Sequence, residues 1–156
     1  MLIDRFGREI TYLRISVTDR CNLRCVYCMP PEGVAWQPHG TILTFEEIRE
    51  IVRVAAENGI REVRLTGGEP LVRADLPVLV KMISSIPGIQ DISLTTNGLL
   101  LEKNLPALID AGLKRINVSL DTLNPEKFSR ITRGGSFDKV WRGLEAADQA
   151  GLSPIK

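Results

Sequence analysis

Three cysteines, Cys21, Cys25 and Cys28, stand within eight residues, and no fourth occurs in the 156-residue chain. Thiolates are soft ligands that select iron–sulfur clusters, zinc or copper(I). An odd, tightly spaced group fits a disulfide framework poorly and a metal site well. Three chemistries stay open at this point. Structural zinc takes four ligands, so the triplet would need one more, and the sole histidine, His39, is the candidate. "CVYC" (Cys25–Cys28) also has the spacing of a redox dithiol, which leaves Cys21 unexplained. A 4Fe–4S cluster held by three thiolates keeps its fourth iron open for a non-protein ligand.

Something must hold these thiols, and the chain carries a loose repeat that does so. "GIREVRLT" (Gly59–Thr66), "GIQDISLT" (Gly88–Thr95) and "GLKRINVS" (Gly112–Ser119) share one pattern, and "GLSPIK" starts a fourth copy at Gly151. "YLRISVT" (Tyr12–Thr18) supplies a strand in front. Each copy follows an apolar stripe with helical spacing: Ile48, Ile51, Val52 and Ala55; Leu76, Leu79, Val80 and Ile83; Leu105, Leu108 and Ile109; Val140, Leu144 and Ala147. Thr44 with Glu47 reads as a capping box, and Gly59, Gly112 and Gly151 sit where left-handed helix caps belong.

A strand followed by four helix–strand units predicts an α/β fold with parallel strands and outer helices. Alternation narrows the choice further. Leu13, Ile15, Val17, Val63, Leu65, Ile92, Leu94, Ile116 and Val118 form one apolar face. The other face is polar: Arg14, Ser16 and Thr18; Arg64 and Thr66; Ser93 and Thr95; Asn117 and Ser119; then Lys156. A doubly wound sheet covers both faces and reads as continuous apolar runs, so the pattern predicts a partial βα barrel with a polar lumen. Arg14, Arg64 and Lys156 would meet in that lumen. Gathering cations there is expensive without an anion, so the lumen is expected to accept one, such as a phosphate-bearing ligand.

The triplet begins just past the first strand. "TGGEP" (Thr66–Pro70), "TTNG" (Thr95–Gly98) and "SLDTLNP" (Ser119–Pro125) lie at the same, C-terminal ends of later strands. Singly, each reads as turn chemistry. Together they face the thiols on the side where βα barrels keep their active sites. Other residues take plainer readings. Trp36 and Trp141 read as core or loop anchors, Glu69 as bonding within its own loop, Asp121 and Asn124 as cap and turn residues, and "RITRGG" (Arg130–Gly135) as a solvated loop. Net charge is +1, which by itself argues neither for nor against nucleic acid, and no nucleic-acid partner is expected. No apolar run spans a membrane, and "MLIDRFGREI" has charges where a signal peptide needs an apolar run, so a cytoplasmic location is expected.

C-x-x-x-C-x-x-C with an aromatic before its last cysteine, followed by a GGEP loop, resembles the radical S-adenosylmethionine superfamily. Within it, "FGREITYLRISVTDRCNLRCVYCMP", "VRLTGGEPLVR", "LTTNGLLL", "AGLKRINVSLDTLNPEKF" and "AGLSPIK" resemble the family of GTP 3',8-cyclases of molybdenum cofactor biosynthesis. The resemblance implies that Cys21, Cys25 and Cys28 ligate a 4Fe–4S cluster. Tyr27, Gly68 and Ser119 match positions that contact S-adenosylmethionine, and Arg14, Arg64, Thr95 and Lys156 match positions that contact GTP. It implies a 5'-deoxyadenosyl radical that cyclises GTP to 3',8-cyclo-7,8-dihydroguanosine triphosphate. An electron donor such as flavodoxin or ferredoxin and a homo-oligomer are further implications. Family chains are longer, with a second cysteine triplet and a glycine-rich tail that do not occur here. Residues 1–156 would then form the N-terminal part of the radical SAM core, cut within strand five, and this chain alone is expected to lack full cyclase activity. The competing readings are another radical SAM enzyme, peptide-modifying or queuosine-type, and a non-catalytic three-cysteine metal-binding module.

Overall fold

Strands with one apolar face need cover on one side only. In the computed structural model, which describes residues 1–156, four such segments form one all-parallel sheet. These are β1 (Tyr12–Ser16), β2 (Glu62–Thr66), β3 (Asp91–Thr96) and β4 (Arg115–Val118), lying side by side in chain order. A fifth begins at the end of the chain. Ile155 bridges Ile116 in parallel, and the Val118 N–H donates to the Lys156 carbonyl at 2.7 Å.

Helices α1 (Phe45–Glu57), α2 (Leu76–Ser84) and α3 (Leu101–Asp110) follow β1, β2 and β3 in turn. Their apolar stripes meet the apolar strand face in a single core. Val63, Leu65, Ile92, Leu94 and Ile116 are buried there against Ile48, Val52, Leu79, Ile83 and Leu108. The capping box at Thr44 forms in full: its side chain accepts from the Glu47 N–H, and the Glu47 carboxylate accepts from the Thr44 N–H. Gly59, Gly112 and Gly151 take positive φ after their helices. The expected partial barrel with outer helices is what forms. No helix is long and apolar enough to cross a membrane.

Two details depart from the sequence reading. Ile51 is 46% exposed and does not belong to the buried stripe of α1, whose contacts come from Ile48 and Val52. Two helices, not one, separate β4 from the fifth strand: α4 (Pro125–Thr132) and α5 (Phe137–Gln149). The start signals for α4 lie in residues taken for turn chemistry. Asn124 caps it by accepting from the Lys127 N–H, and Pro125 sits at its first position, where no N–H is needed. Phe128 and Thr132 of α4 are buried, so Arg130–Gly135 is the end of a packed helix rather than a solvated loop. Of the tryptophans, Trp36 is half-buried under the Arg24 guanidinium, 5.2 Å from its ring centre. Trp141 stacks on Phe137 at the surface.

Candidate metal and nucleotide site

The three thiols arrive on a loop without helix or strand, so the neighbouring loops must shape it. The first support is backbone contact. The Gly68 N–H donates to the Thr18 carbonyl at 2.8 Å, and the Glu69 N–H to the Arg20 carbonyl at 2.7 Å. A Cβ at Gly68 would stand 2.6 Å from the Asp19 carbonyl oxygen and nearer still to that of Arg20. Only glycine lets the two loops lie this close.

Glu69 provides the second support, and the sequence reading missed it. The side chain is 1% exposed and reaches beyond its own loop. It accepts from the Leu71 N–H (3.0 Å), the Thr96 hydroxyl (2.7 Å) and the Asn97 N–H (2.6 Å). Burial pushes its carboxyl up, and the three donors pull it down without overcoming that effect. Asn97, thus fixed, lies 3.9 Å from the Cys21 sulfur and donates to the Asn22 side chain at 2.8 Å. An acidic residue set between two glycines and a proline was the available signal.

The third support comes from the far side. Tyr27 donates its hydroxyl to Asp121 at 2.8 Å. Burial raises the Tyr27 hydroxyl first, and the Asp121 bond adds to it. Asp121 is therefore more than a cap or turn residue. Burial likewise raises the Cys21 and Cys25 thiols.

One cavity is lined by Cys21, Cys25, Cys28, Tyr27, Gly68, Thr95 and Ser119. Seven of the ten residues singled out from the sequence thus come together. Arg14, Arg64 and Lys156 lie outside that lining, Arg14 and Arg64 one rung farther down the polar face and Lys156 level with Thr95 across the sheet. Strand register places them: Arg14 is opposite Arg64, Thr95 is opposite Asn117, and the Ile155–Ile116 bridge puts Lys156 on the Asn117 side. No carboxylate pairs with any of the three. Arg64 is held by neutral partners. Its Nε donates to Ser93 at 3.2 Å, and the Asn117 carboxamide oxygen, in the orientation its hydrogen bonds require, accepts from the guanidinium at 3.0–3.2 Å. Arg115, in register with Ser93 on this same rung, reaches back one rung to Asp91 and, at 3.0 Å, Glu62, which neutralise it. The face is graded: carboxylates at Glu62 and Asp91 that take up Arg115, then Arg14 and Arg64 without a carboxylate, then thiols.

The donor set discriminates among metals. Structural zinc takes four protein ligands. The three thiols share one cavity. His39 lines a different cavity, with Asp19 and Arg73, and does not join them. Three soft donors around one cavity, without the histidine that zinc would need, fit a cluster that keeps an open position.

The family model of the Radical SAM superfamily matches residues 15–156. A protein named GTP 3',8-cyclase from Pelotomaculum thermopropionicum is 61% identical over 153 residues, covering 98% of this chain and 47% of that protein. One of the same name from Alkaliphilus metalliredigens is 58% identical over 153 residues, covering 98% and 48%. The chain spans about half the length of the curated relatives it matches. Among solved structures, HydG, a maturase of the [FeFe]-hydrogenase, superposes with a TM-score of 0.73 at 18% identity, over 92% of this chain and 33% of that one.

Proposed function

We propose, from the premise that this chain belongs to the Radical SAM superfamily, that it is the cluster-binding part of a GTP 3',8-cyclase. The observation that carries the reading is the stacking of three thiols above an unpaired Arg14–Arg64 rung on one polar face. Identity above 50% to proteins of that name along essentially the whole chain supports the choice within the superfamily.

Cys21, Cys25 and Cys28 would hold a 4Fe–4S cluster at three irons. With S-adenosylmethionine bound, such a cluster would supply one-electron reductive cleavage of the sulfonium, drawing on a flavodoxin- or ferredoxin-type donor, and so the radical chemistry that cyclisation of GTP needs. The chain's own residues bind and orient. The Gly68 backbone can approach a ligand closely, and Tyr27 and Ser119 offer hydroxyls at the cavity edge. Arg14, Arg64 and Lys156 would neutralise the triphosphate, and Thr95, which lines the cavity one rung above Arg14 and Arg64, would bind GTP beside it. Arg64 needs no rearrangement, because Ser93 and Asn117 fix its plane without consuming its charge. A fixed cation below and a fixed radical source above would set the reach between ribose and radical. The full turnover, and any homo-oligomer, belong to the protein of which this stretch matches about half.

Anaerobic reconstitution tests the reading. The expected product binds about four irons per chain and changes its electronic spectrum when S-adenosylmethionine is added. GTP should bind, and Arg14→Ala with Arg64→Ala should abolish that binding. One zinc per chain with no response to S-adenosylmethionine would overturn the cluster, and triphosphate binding that survives the double substitution would overturn the GTP assignment.

A further inference from the structure

We propose that Arg133 is a positioning residue for the metal-binding loop, its guanidinium clamping the Cys25–Cys28 segment in the shape that presents the thiols. The inference deepens the cluster reading above and rests on it.

Cys25–Cys28 is a single turn: the Cys28 and Met29 N–H groups both donate to the Cys25 carbonyl, at 2.9 and 3.2 Å. A turn so short keeps its shape through bonds made from outside. Arg133 Nη1 donates to the carbonyl of Arg24 at 3.0 Å and to that of Met29 at 2.7 Å. These are the residue just before Cys25 and the residue just after Cys28, so one nitrogen ties the two ends of the turn together. The backbone beside Arg133 completes the strap. The Ile131 carbonyl accepts from the Val26 N–H at 2.9 Å, and the Thr132 carbonyl from the Arg24 N–H at 3.3 Å. The end of α4 therefore lies along the loop as a short ladder, closed by the guanidinium.

The backbone of Arg133 points the same way. Its φ is 53° and its ψ 58°, the left-handed conformation that ends α4. Side chains are disfavoured there, and glycine is the usual occupant. Arginine stands at this position all the same, and its side chain is exposed and pairs with no carboxylate. Its polar contacts are the two carbonyls that bracket the cysteines. A strained residue whose side chain does one thing is a reason to look for a role in that thing.

Arg133→Gly and Arg133→Lys test the role. Glycine accepts the left-handed conformation without strain, so the turn and the two backbone bonds survive while the guanidinium is lost. Two measurements are made on the whole chain: the thermal midpoint of the metal-free protein, and the rate at which anaerobically reconstituted protein loses iron to a chelator. The expected Arg133→Gly protein has a midpoint equal to or above that of the parent and loses iron about tenfold faster, the effect of two lost charge-assisted bonds on an otherwise loose turn. Lysine, which can reach the same carbonyls with one nitrogen, restores most of the retention. Iron loss from Arg133→Gly at the parent rate would overturn the proposal. So would a fallen midpoint, which would make Arg133 a general stabiliser, or a lysine variant no better than glycine. A parent chain that takes up no iron would bring down the cluster reading and this inference with it, and it is told apart because it needs no variant.

Discussion

Glu69 joins the GGEP loop to the TTNG loop, and removing its charge isolates what that joint is worth. In Glu69→Gln the carboxamide oxygen can keep the bonds from the Leu71 N–H and the Thr96 hydroxyl, at 3.0 and 2.7 Å in the parent. The new NH2 then faces the Asn97 N–H, which had donated to the carboxylate at 2.6 Å. One buried donor left without an acceptor costs about 1–3 kcal/mol, so about 2 kcal/mol is expected. For a chain of this size that lowers the thermal midpoint by about 4–8 °C. Glu69→Ala leaves both the Leu71 and Asn97 N–H groups unpaired and should cost about 4 kcal/mol. Thermal and urea unfolding of the metal-free protein give the stability. Iron retention after reconstitution should fall in the same order, because Asn97 rests against the Cys21 sulfur. The pH dependence has a definite sign. Burial raises the Glu69 carboxyl above its ordinary 4.5. Between that value and the raised one the native protein binds more protons than the unfolded chain, so this contribution to stability declines as pH rises through the window. Glutamine does not titrate, so the gap between parent and Glu69→Gln should be widest at acid pH and narrow toward neutral. A Glu69→Ala protein with the parent midpoint and parent iron content would refute the joint, and a gap that widens toward neutral pH would refute the sign.

Gly68→Ala should destabilise the metal-free chain by at least about 2 kcal/mol, because its Cβ meets the Asp19 and Arg20 carbonyl oxygens; an unchanged unfolding midpoint would show that the loops can separate freely. Asn117→Asp would pair the Arg64 cation and should weaken GTP binding by about tenfold without loss of stability, measured by calorimetry on the reconstituted protein. Arg115→Ala removes the half-buried ion pairs with Asp91 and Glu62 and should cost about 1–2 kcal/mol in denaturant unfolding, above the range of an exposed ion pair. Thr44→Ala opens the capping box of α1 and should cost about 1 kcal/mol in the same assay.

The cysteine triplet was legible in the sequence because metal ligation depends on residue type and short spacing. The inward placement of Arg14, Arg64, Thr95 and Lys156 was legible too, because side chains alternate strictly along a strand and parallel register preserves that alternation across the sheet. Local chemistry was also enough for the capping box at Thr44, where donor and acceptor lie three residues apart. The start of α4 was equally local, but its Asn124–Pro125 signal is shared by turns and helix starts, and only the burial of Phe128 and Thr132 separates the two.

Contacts between distant segments were decided by tertiary structure. Glu69 meets Thr96 and Asn97 across 27 and 28 residues, Tyr27 meets Asp121 across 94, and Arg133 reaches Met29 and Arg24 across 104 and 109. No periodicity encodes such pairs. They exist because strands in parallel register bring the loops at their C-terminal ends to one rim, and the packing of α4 lays its last turn along the cysteine loop. The sequence by itself determined which atoms are the candidates for metal and anion. The fold decided which other residues hold those atoms still, because that depends on where separate segments meet in space.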